Sequence, residues 1–168
     1  EYELYSNGAI RAHTKTKKAI KQDRKRRQKM DYAEYIRKRN EKNNFARLID
    51  LKLDEVTEHG AIASMPITTK HLNPFGAVHG GCLYTIADVV AGSAANAHGK
   101  PAVTLDSDFH FLRAGIGTTK LVGMSKELKC GKKVLVYYVE IADQNEKVLA
   151  EGTFTYMVID KKQDELGK

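Results

Sequence analysis

The sequence has few cysteines and prolines, no tryptophan and no long apolar run. Its 168 residues include no tryptophan, two cysteines and three prolines. Cys82 and Cys130 cannot supply the disulfide framework of a small secreted domain, and neither has a metal-type partner at short spacing. No apolar run approaches the roughly 20 residues that cross a bilayer. Residues 1–44 also lack the apolar stretch of a secretory signal, so we expect a cytoplasmic protein without a membrane partner.

The excess of positive over negative charge is confined to one part of the chain. The formal net charge is +7, and residues 1–44 carry 14 Lys and Arg against 6 acidic residues, whereas residues 45–168 carry 14 against 15. We interpret residues 1–44 as a basic, partly helical or disordered N-terminal extension, since so charged a segment buries little surface. Its basic run, residues 11–29, could contact nucleic acid, although a solvated extension is the favoured interpretation.

Residues 45–160 have the pattern of one α+β domain, and residues 161–168 form a polar C-terminal tail. Two strand-like runs precede an almost wholly small or apolar helix, and four runs with apolar–polar alternation follow it. That alternation favours antiparallel pairing, because only one face of such a sheet needs to be covered. We therefore predict a curved antiparallel sheet wrapped around one central helix, with helix bounds of 80–97 and strands at 50–56, 61–67, 102–113, 120–128, 134–142 and 148–159.

Asp88 is the only residue between Lys70 and Lys100 with a formal charge at neutral pH. It lies in the middle of the apolar helix. A carboxylate there is costly unless it is paired, hydrogen-bonded or protonated. Such a group is either a satisfied structural acid or a catalytic acid or base, and the pattern alone leaves both interpretations open.

The start of the same helix can form an oxyanion site. Gly80 and Gly81 place backbone N–H groups in the first turn, where no side chain blocks the approach of a carbonyl. Two glycines also permit tight packing, so this signal is weak alone. Gly80 and Asp88 are separated by roughly 12 Å along the helix axis, too far for both to act on one carbonyl group. If both act, the carboxylate comes from a second copy of the chain.

The longer motif makes the interpretation more specific. His71, Asn73, Gly76, His79-Gly80-Gly81 and Asp88 follow the pattern H-x-N-x-x-G-x-x-H-G-G, with Asp eight residues after the first glycine of the pair. This resembles the phenylacetate-degradation (PaaI-type) branch of the hotdog-fold acyl-CoA thioesterases over roughly residues 44–159. The resemblance implies hydrolysis of an acyl- or aryl-acyl-CoA thioester by a homodimer, or by a homotetramer built as a dimer of dimers.

The resemblance also implies residue roles. Asp88 acts as general base or nucleophile, and the Gly80 amide of the partner subunit polarises the carbonyl. Asn73 and His79 flank that carbonyl, and Thr104 positions the attacking water, although threonine is also a common strand residue. His71 holds the loop, and Cys82 is a packing residue. No cofactor and no metal site are expected, since CoA is part of the substrate and the motif residues lack ligand spacing.

Two alternative functions stay open, and the residues that would bind CoA stay unassigned. A non-catalytic acyl-CoA-binding regulator could use the basic N-terminal arm, although a pure binder has no reason to bury Asp88 beside a thioester. A hotdog hydratase or dehydratase shares the fold, but its loop is less similar. The cofactor-binding residues are unknown, and no choice is made among the candidates for the CoA phosphates, which are Arg113, Lys126, Lys129, Lys132 and Lys133.

Overall fold

The computed structural model of the chain describes residues 2–4, 10–12 and 30–159, and the chain divides into two units, Glu1–Met30 and Asp31–Lys168. In the first unit, strand β1 (Tyr2–Leu4) pairs antiparallel with strand β2 (Ile10–Ala12). Most of the predicted nucleic-acid-binding run, residues 13–29, and the predicted C-terminal tail, residues 161–168, lie outside the described residues.

The second unit contains the predicted α+β architecture. Its elements are α1 (Tyr32–Lys42), α2 (Asn44–Leu48), β3 (Lys52–Thr57), β4 (Gly60–Pro66), a 3-10 turn (Thr69–His71), α3 (Gly80–Asn96), β5 (Ala102–Phe111), β6 (Lys120–Cys130), β7 (Val134–Asp143) and β8 (Val148–Val158). The six strands β3 to β8 form one sheet in the order β3-β4-β6-β7-β8-β5, and every neighbouring pair of strands is antiparallel. The long helix α3 packs against this sheet, so the hotdog prediction is confirmed.

Helix α3 is the centre of the core because its residues are small or apolar on most of its circumference. Leu83, Ile86 and Val90 are buried against the sheet, at the spacing of one helical face. Gly123 on β6 lets the helix approach closely, since a Cβ at that position would lie 2.8 Å from Ile86 Cγ1. Within the described part of the chain, no helix is long and apolar enough to span a membrane.

Strand β5 is one edge of the sheet, and it differs from the other strands in burial. Its side chains are exposed or half-buried over nearly the whole length, and Val103, Leu105 and Phe111 are large apolar residues open to solvent. A long edge strand with exposed apolar side chains presents unpaired backbone groups and invites pairing with another chain. Strand β5 is therefore a candidate surface for contact with a second copy of the chain.

Helix α1 belongs to the second unit, so the structure divides the chain earlier than the predicted boundary after residue 44. The Asn40 amide donates to Leu53 O over 2.9 Å and its oxygen accepts from Leu53 N over 2.8 Å. Tyr35 OH donates to Ser93 O on α3 over 2.9 Å. The helix is amphipathic but has no fully buried residue, so hydrogen bonds rather than apolar burial attach it to the domain.

Candidate active site

Asp88 is held at one carboxylate oxygen by two hydroxyl groups from the sheet. Thr104 Oγ1 donates to Asp88 Oδ1 over 2.8 Å, and Tyr156 OH lies 2.9 Å from the same oxygen and 3.0 Å from the Asp88 carbonyl. Thr104 on β5 and Tyr156 on β8 are directly paired across the two strands, so their side chains emerge on the same face. The sheet thereby fixes the orientation of the carboxylate.

The other oxygen of this carboxylate, Oδ2, has no hydrogen-bond partner among residues 30–159. Asp88 borders a cleft of about 330 Å³ beside the middle of α3. A carboxylate with one fixed and one available oxygen can accept a proton from water or attack a carbonyl carbon. The cleft is also bordered by Arg39, Asn43, Val89, Gly92, Asn96, Ala102, Val103, Thr104 and Tyr156.

Gly92 gives Tyr156 the space that this arrangement needs. A Cβ added at Gly92, one helical turn after Asp88, would lie 3.3 Å from Tyr156 Cε1 and 3.4 Å from its hydroxyl oxygen. Those are tight contacts for a ring that is almost fully buried. Glycine at this position therefore allows the tyrosine to reach the carboxylate across the helix.

The loop before α3 is closed by its own side chains. Asn73 Oδ1 accepts from Phe75 N over 2.9 Å and from Ala77 N over 3.2 Å, while Gly76 adopts a positive φ of 75° that allows the tight turn. His71 is buried, with Nδ1 accepting from Thr68 N over 3.0 Å and Nε2 3.1 Å from Ile49 O. Both side chains hold the loop, which agrees with the interpretation of His71.

His79 caps the helix at the end of this loop. Its Nδ1 accepts from Gly81 N over 2.9 Å, and its backbone N–H donates to His71 O over 2.8 Å. The ring itself is exposed, so Nε2 can face a ligand. The cap accepts a hydrogen bond from the Gly81 amide, one of the first-turn amides. It does not reach the neighbouring amide, that of Gly80.

The Gly80 N–H has no acceptor within the described part of the chain, and it lies at the positive end of a 17-residue helix. A Cβ at Gly80 would be 3.3 Å from Phe111 Cε1, so the amide borders an aromatic side chain that is more than half exposed. An available amide at a helix start is a donor suited to a developing oxyanion.

The Asp88 carboxylate and the Gly80 amide lie along one exposed stripe of α3. Gly81 and Tyr84 are exposed and Asp88 is half-buried, at the spacing of successive helical turns. Because both ends belong to one uninterrupted helix, Asp88 lies roughly 12 Å along the axis from Gly80. The structure therefore does not bring the predicted residues into one site within a single chain: Asp88 joins Thr104, and Gly80 joins His79 and the Asn73 loop.

Comparison with known proteins identifies the family. The model of the thioesterase superfamily matches residues 75–150, which include the whole of α3. A relative from Archaeoglobus fulgidus is 32% identical over 108 residues, covering 63% of this chain and 70% of the relative. The acyl-coenzyme A thioesterase PaaI of Escherichia coli is 30% identical over 105 residues, covering 62% and 75%. The chain belongs to the PaaI-type hotdog branch of the thioesterase superfamily.

Solved structures agree with this assignment. The E. coli PaaI protein from the phenylacetic acid degradation operon superposes with a TM-score of 0.73 at 26% identity, covering 77% of this chain and 94% of that one. A thioesterase from Streptococcus pneumoniae, solved with coenzyme A, superposes with a TM-score of 0.62 at 25% identity, covering 67% and 88%. The chain is accordingly a thioester hydrolase.

The structure adds residues to the candidate site that the sequence does not single out. In the sequence Tyr156 is one residue of a strand-like run, and nothing in its local pattern signals the contact with Asp88 from 68 positions away. Burial, and then the adjacent Asp88 carboxylate, raise the pKa of Tyr156 far above its usual value, so the hydroxyl stays a proton donor. Arg39 was assigned to the extension, yet it borders the same cleft.

Two other residues considered from the sequence, Cys82 and Arg113, contact backbone carbonyl oxygens. Cys82 is buried in the first turns of α3, with Sγ 3.8 Å from His71 O, and burial raises the pKa of its thiol. A thiol disfavoured as thiolate is a poor nucleophile, which agrees with a packing role. Arg113, one of the phosphate candidates, donates to Val148 O over 2.7 Å and is thereby partly engaged.

Proposed function

We propose that this thioesterase hydrolyses an acyl- or aryl-acyl-CoA thioester to a free acid and CoA, as a homodimer whose active sites each combine residues of two chains. The observation that carries the proposal is the separation on α3. An oriented carboxylate and an available helix-start amide lie on one exposed stripe, roughly 12 Å apart. Two such helices that pack antiparallel place Asp88 of each chain beside Gly80 of the other.

The edge of the sheet supports the same arrangement. In a two-fold symmetric dimer the same surface is used by both chains. Strand β5 is an edge next to α3, and its exposed apolar residues Val103, Leu105 and Phe111 would be covered by a second copy. Pairing of β5 with its partner would also satisfy the backbone groups of the edge. Two such dimers could associate further into a tetramer.

The proposed reaction uses the Gly80 amide of one chain and the Asp88 carboxylate of the other. The Gly80 amide donates to the thioester oxygen, which draws electron density away from the carbonyl carbon. Asp88 takes a proton from water, whose oxygen forms the new C–O bond, and Thr104 helps to place that water. The tetrahedral intermediate then collapses, the C–S bond breaks, and the CoA thiolate receives the proton that Asp88 took from water. As an alternative route, Asp88 attacks the carbonyl carbon, the C–S bond breaks to release the CoA thiolate, and water then hydrolyses the resulting anhydride.

Asn73 and His79 position the substrate in this proposal. The Asn73 oxygen is occupied by the loop, so its NH₂ group is the part available to flank the carbonyl or the sulfur. The exposed His79 ring is available at Nε2. Protein side chains, the Gly80 amide and water carry out all the proposed steps, so these steps require neither a cofactor nor a metal. The basic side chains that would hold the CoA phosphates stay unassigned.

An aromatic group beside Gly80 is the expected contact for the acyl part of the substrate. Phe109 stacks edge-on against both Phe111 and Tyr84, with ring centroids 5.1 Å and 5.5 Å apart. Phe111 borders the Gly80 amide and is more than half exposed. An apolar or aryl acyl group would pack against such a surface, whereas a short polar acyl group would leave it uncovered.

The test is thiol release from a panel of short, long and aryl acyl-CoA substrates, with Asp88→Asn as the key variant. We expect the variant to lose about 10²- to 10⁴-fold in kcat, the usual contribution of a general base. Asp54→Asn, which changes an exposed aspartate on β3, is the matched control and should keep full activity. Thermal unfolding of both variants should match the wild type.

The regulator alternative predicts another outcome of the same test. If the wild type is inert on the whole panel yet binds acyl-CoA, the chain is a binding protein, and the proposed hydrolysis is overturned. The basic arm on which that alternative depends lies mostly outside the described residues. The presence of both an oriented Asp88 and an available Gly80 amide favours hydrolysis.

A further inference from the structure

A second cluster of chemically reactive side chains lies away from the proposed active site. His98, just beyond the C-terminal end of α3, meets Glu127 and Cys130 of β6, and one ligand atom from each lies within 4.8 Å of the others. His98 Nε2 is 3.2 Å from Glu127 Oε2, and Cys130 Sγ is 3.8 Å from both ring nitrogens. Ten residues of mostly helical chain separate His98 from Asp88, or roughly 15 Å.

A β-bulge brings the two strand residues to the same face. Side chains alternate along a strand, so residues three apart point to opposite faces of a regular sheet. In β6 the pairing with β7 shifts between Glu127 and Lys129, because Glu127 pairs with Tyr137 while Lys129 pairs with Val136. The extra residue, Leu128, reverses the alternation, and Cys130 therefore joins Glu127 beside His98.

Neighbouring groups hold the cluster in place. Tyr137 OH lies 3.1 Å from His98 Nε2 and donates to Glu58 O over 2.8 Å. The Glu127 N–H donates to His59 O over 2.7 Å, so the turn between β3 and β4 is tied to β6. His59 Nδ1 lies 3.7 Å from Glu127 Oε1. The two contacts of Glu127 leave its Oε2 for an ion, and such outer contacts fix ligand orientation in metal sites.

We propose that His98, Glu127 and Cys130 bind one Zn²⁺ ion. Zinc takes nitrogen and oxygen ligands at about 2.0–2.1 Å and sulfur at about 2.3 Å, so tetrahedral ligand atoms lie roughly 3.3 to 3.6 Å apart. The His–Glu and Cys–His distances of 3.2 Å and 3.8 Å are close to those edges. Small side-chain movements complete the geometry.

The donor set selects zinc over the hard cations. Magnesium and calcium need several oxygen ligands, and this cluster offers one carboxylate beside a sulfur and an imidazole. The Cys130 thiol loses its proton to become a ligand, and the thiolate and the Glu127 carboxylate together neutralise the charge of the ion. The fourth position is filled by water or, after a side-chain rotation, by the exposed His59.

The ion would act as a clamp between helix and sheet. It would link His98, the second residue after α3, to β6 and so stabilise the helix end farther from Gly80. It has no part in the proposed hydrolysis, because Asp88 and Gly80 lie earlier on the helix. The zinc site therefore stands or fails independently of the proposed function.

The experiment uses the full chain without a histidine tag, stripped of metal and titrated with Zn²⁺ and, separately, with Co²⁺. We expect one equivalent of Zn²⁺ per chain, a zinc-dependent increase in Tm, and thiolate-to-cobalt charge-transfer absorption in the Co²⁺ form. Cys130→Ser, His98→Gln and Glu127→Gln should each weaken Zn²⁺ binding by at least about tenfold, the lower end of what even outer-shell changes cost. His110→Gln, an exposed histidine on β5, is the control and should bind as the wild type does.

Other outcomes overturn the proposal. Equal Zn²⁺ affinity in the wild type and Cys130→Ser, or a Co²⁺ form without the charge-transfer band, would show that the cluster is held by hydrogen bonds alone. Asp88→Asn should bind Zn²⁺ with unchanged affinity. A loss of zinc in that variant would instead place the ion at the proposed active site and contradict the assignment to His98, Glu127 and Cys130.

Discussion

Tyr156 is the residue that most directly connects the fold to the proposed chemistry. Its hydroxyl, carried by strand β8, contacts both the side chain and the carbonyl of Asp88. The hydroxyl remains protonated because burial and the carboxylate both raise the pKa of Tyr156. Its effect is positional, since it holds one carboxylate oxygen and leaves the other for water.

Replacement of Tyr156 by phenylalanine should therefore lower kcat more than it changes KM. We expect a loss between about tenfold and 10²-fold, because a carboxylate displaced by a fraction of an ångström loses its alignment with the substrate. Steady-state kinetics on the best acyl-CoA of the panel measure the effect. Tyr138→Phe, which removes a hydroxyl from Glu151 instead, is the control. Equal kinetics in the two variants would contradict the positioning role.

At the residue scale the sequence predicts groups that stand out from their surroundings and misses groups that act through distant contacts. Asp88 stands out as the single charge in an apolar helix. Tyr156 does not, because tyrosine is an ordinary residue of a half-buried strand. Glu127 and Cys130 are missed for a different reason: their three-residue spacing predicts opposite faces, and only the bulge at Leu128 reverses this.

At the scale of elements, the strands and the central helix follow from local patterns. All six predicted strands and the predicted helix 80–97 are present, with ends that differ by a few residues. Alternation of apolar and polar residues is a strong signal because it depends on neighbours in the chain. Helix α1 gives a weaker signal, because charged residues surround its few apolar ones and it attaches largely through hydrogen bonds of Tyr35 and Asn40.

Two truncations test the place of α1. Removal of residues 1–30 should leave the free energy of unfolding and the hydrolysis unchanged, because those residues form a separate unit. Removal of residues 1–42 should lower the free energy of unfolding by about 4 kcal/mol, since four hydrogen bonds of about 1 kcal/mol each are lost: one from Tyr32, one from Tyr35 and two from Asn40. Urea denaturation measures both. If the two truncated proteins are equally stable, α1 is not part of the domain.

At the scale of the whole molecule, buried tyrosines make the fold sensitive to alkali. The pKa values of Tyr137 and Tyr156 are raised in the folded protein, first of all by burial. Above pH of about 10 the unfolded chain loses protons from these groups while the folded chain keeps them. The stabilisation is complete below that pH and is lost as the pH rises towards the folded values.

We therefore expect the free energy of unfolding to fall between about pH 9 and about pH 11. Urea denaturation across this range gives the slope, and Tyr156→Phe should reduce it, because one of the titrating groups is then absent. A free energy that stays constant through this range in the wild type would show that the buried tyrosines ionise as they do in the unfolded chain.

The sequence constrains the proposed dimer only through the distance between Asp88 and Gly80 on one helix. The distance along α3 requires a second chain if Asp88 and Gly80 act together, and the exposed edge β5 offers a surface for it. The matched pair of variants Asp88→Asn and Gly80→Pro separates the two halves of the site. Proline is accepted at the first helical position, where it removes the amide proton, and the extended backbone of His79 suits a following proline. Proline also adds a Cβ that would lie 3.3 Å from Phe111 Cε1, and Gly80→Ala adds the same Cβ while keeping the amide.

The most direct test mixes the two inactive variants in one assembly. Gly80→Pro alone should lose about 10²- to 10³-fold in kcat, whereas Gly80→Ala, which keeps the amide, should lose far less. When Asp88→Asn and Gly80→Pro chains are unfolded, combined and refolded, activity should return to roughly one quarter of wild type, because half of randomly paired dimers are mixed and each has one intact site of two. A mixture as inactive as either variant would contradict an active site shared between chains.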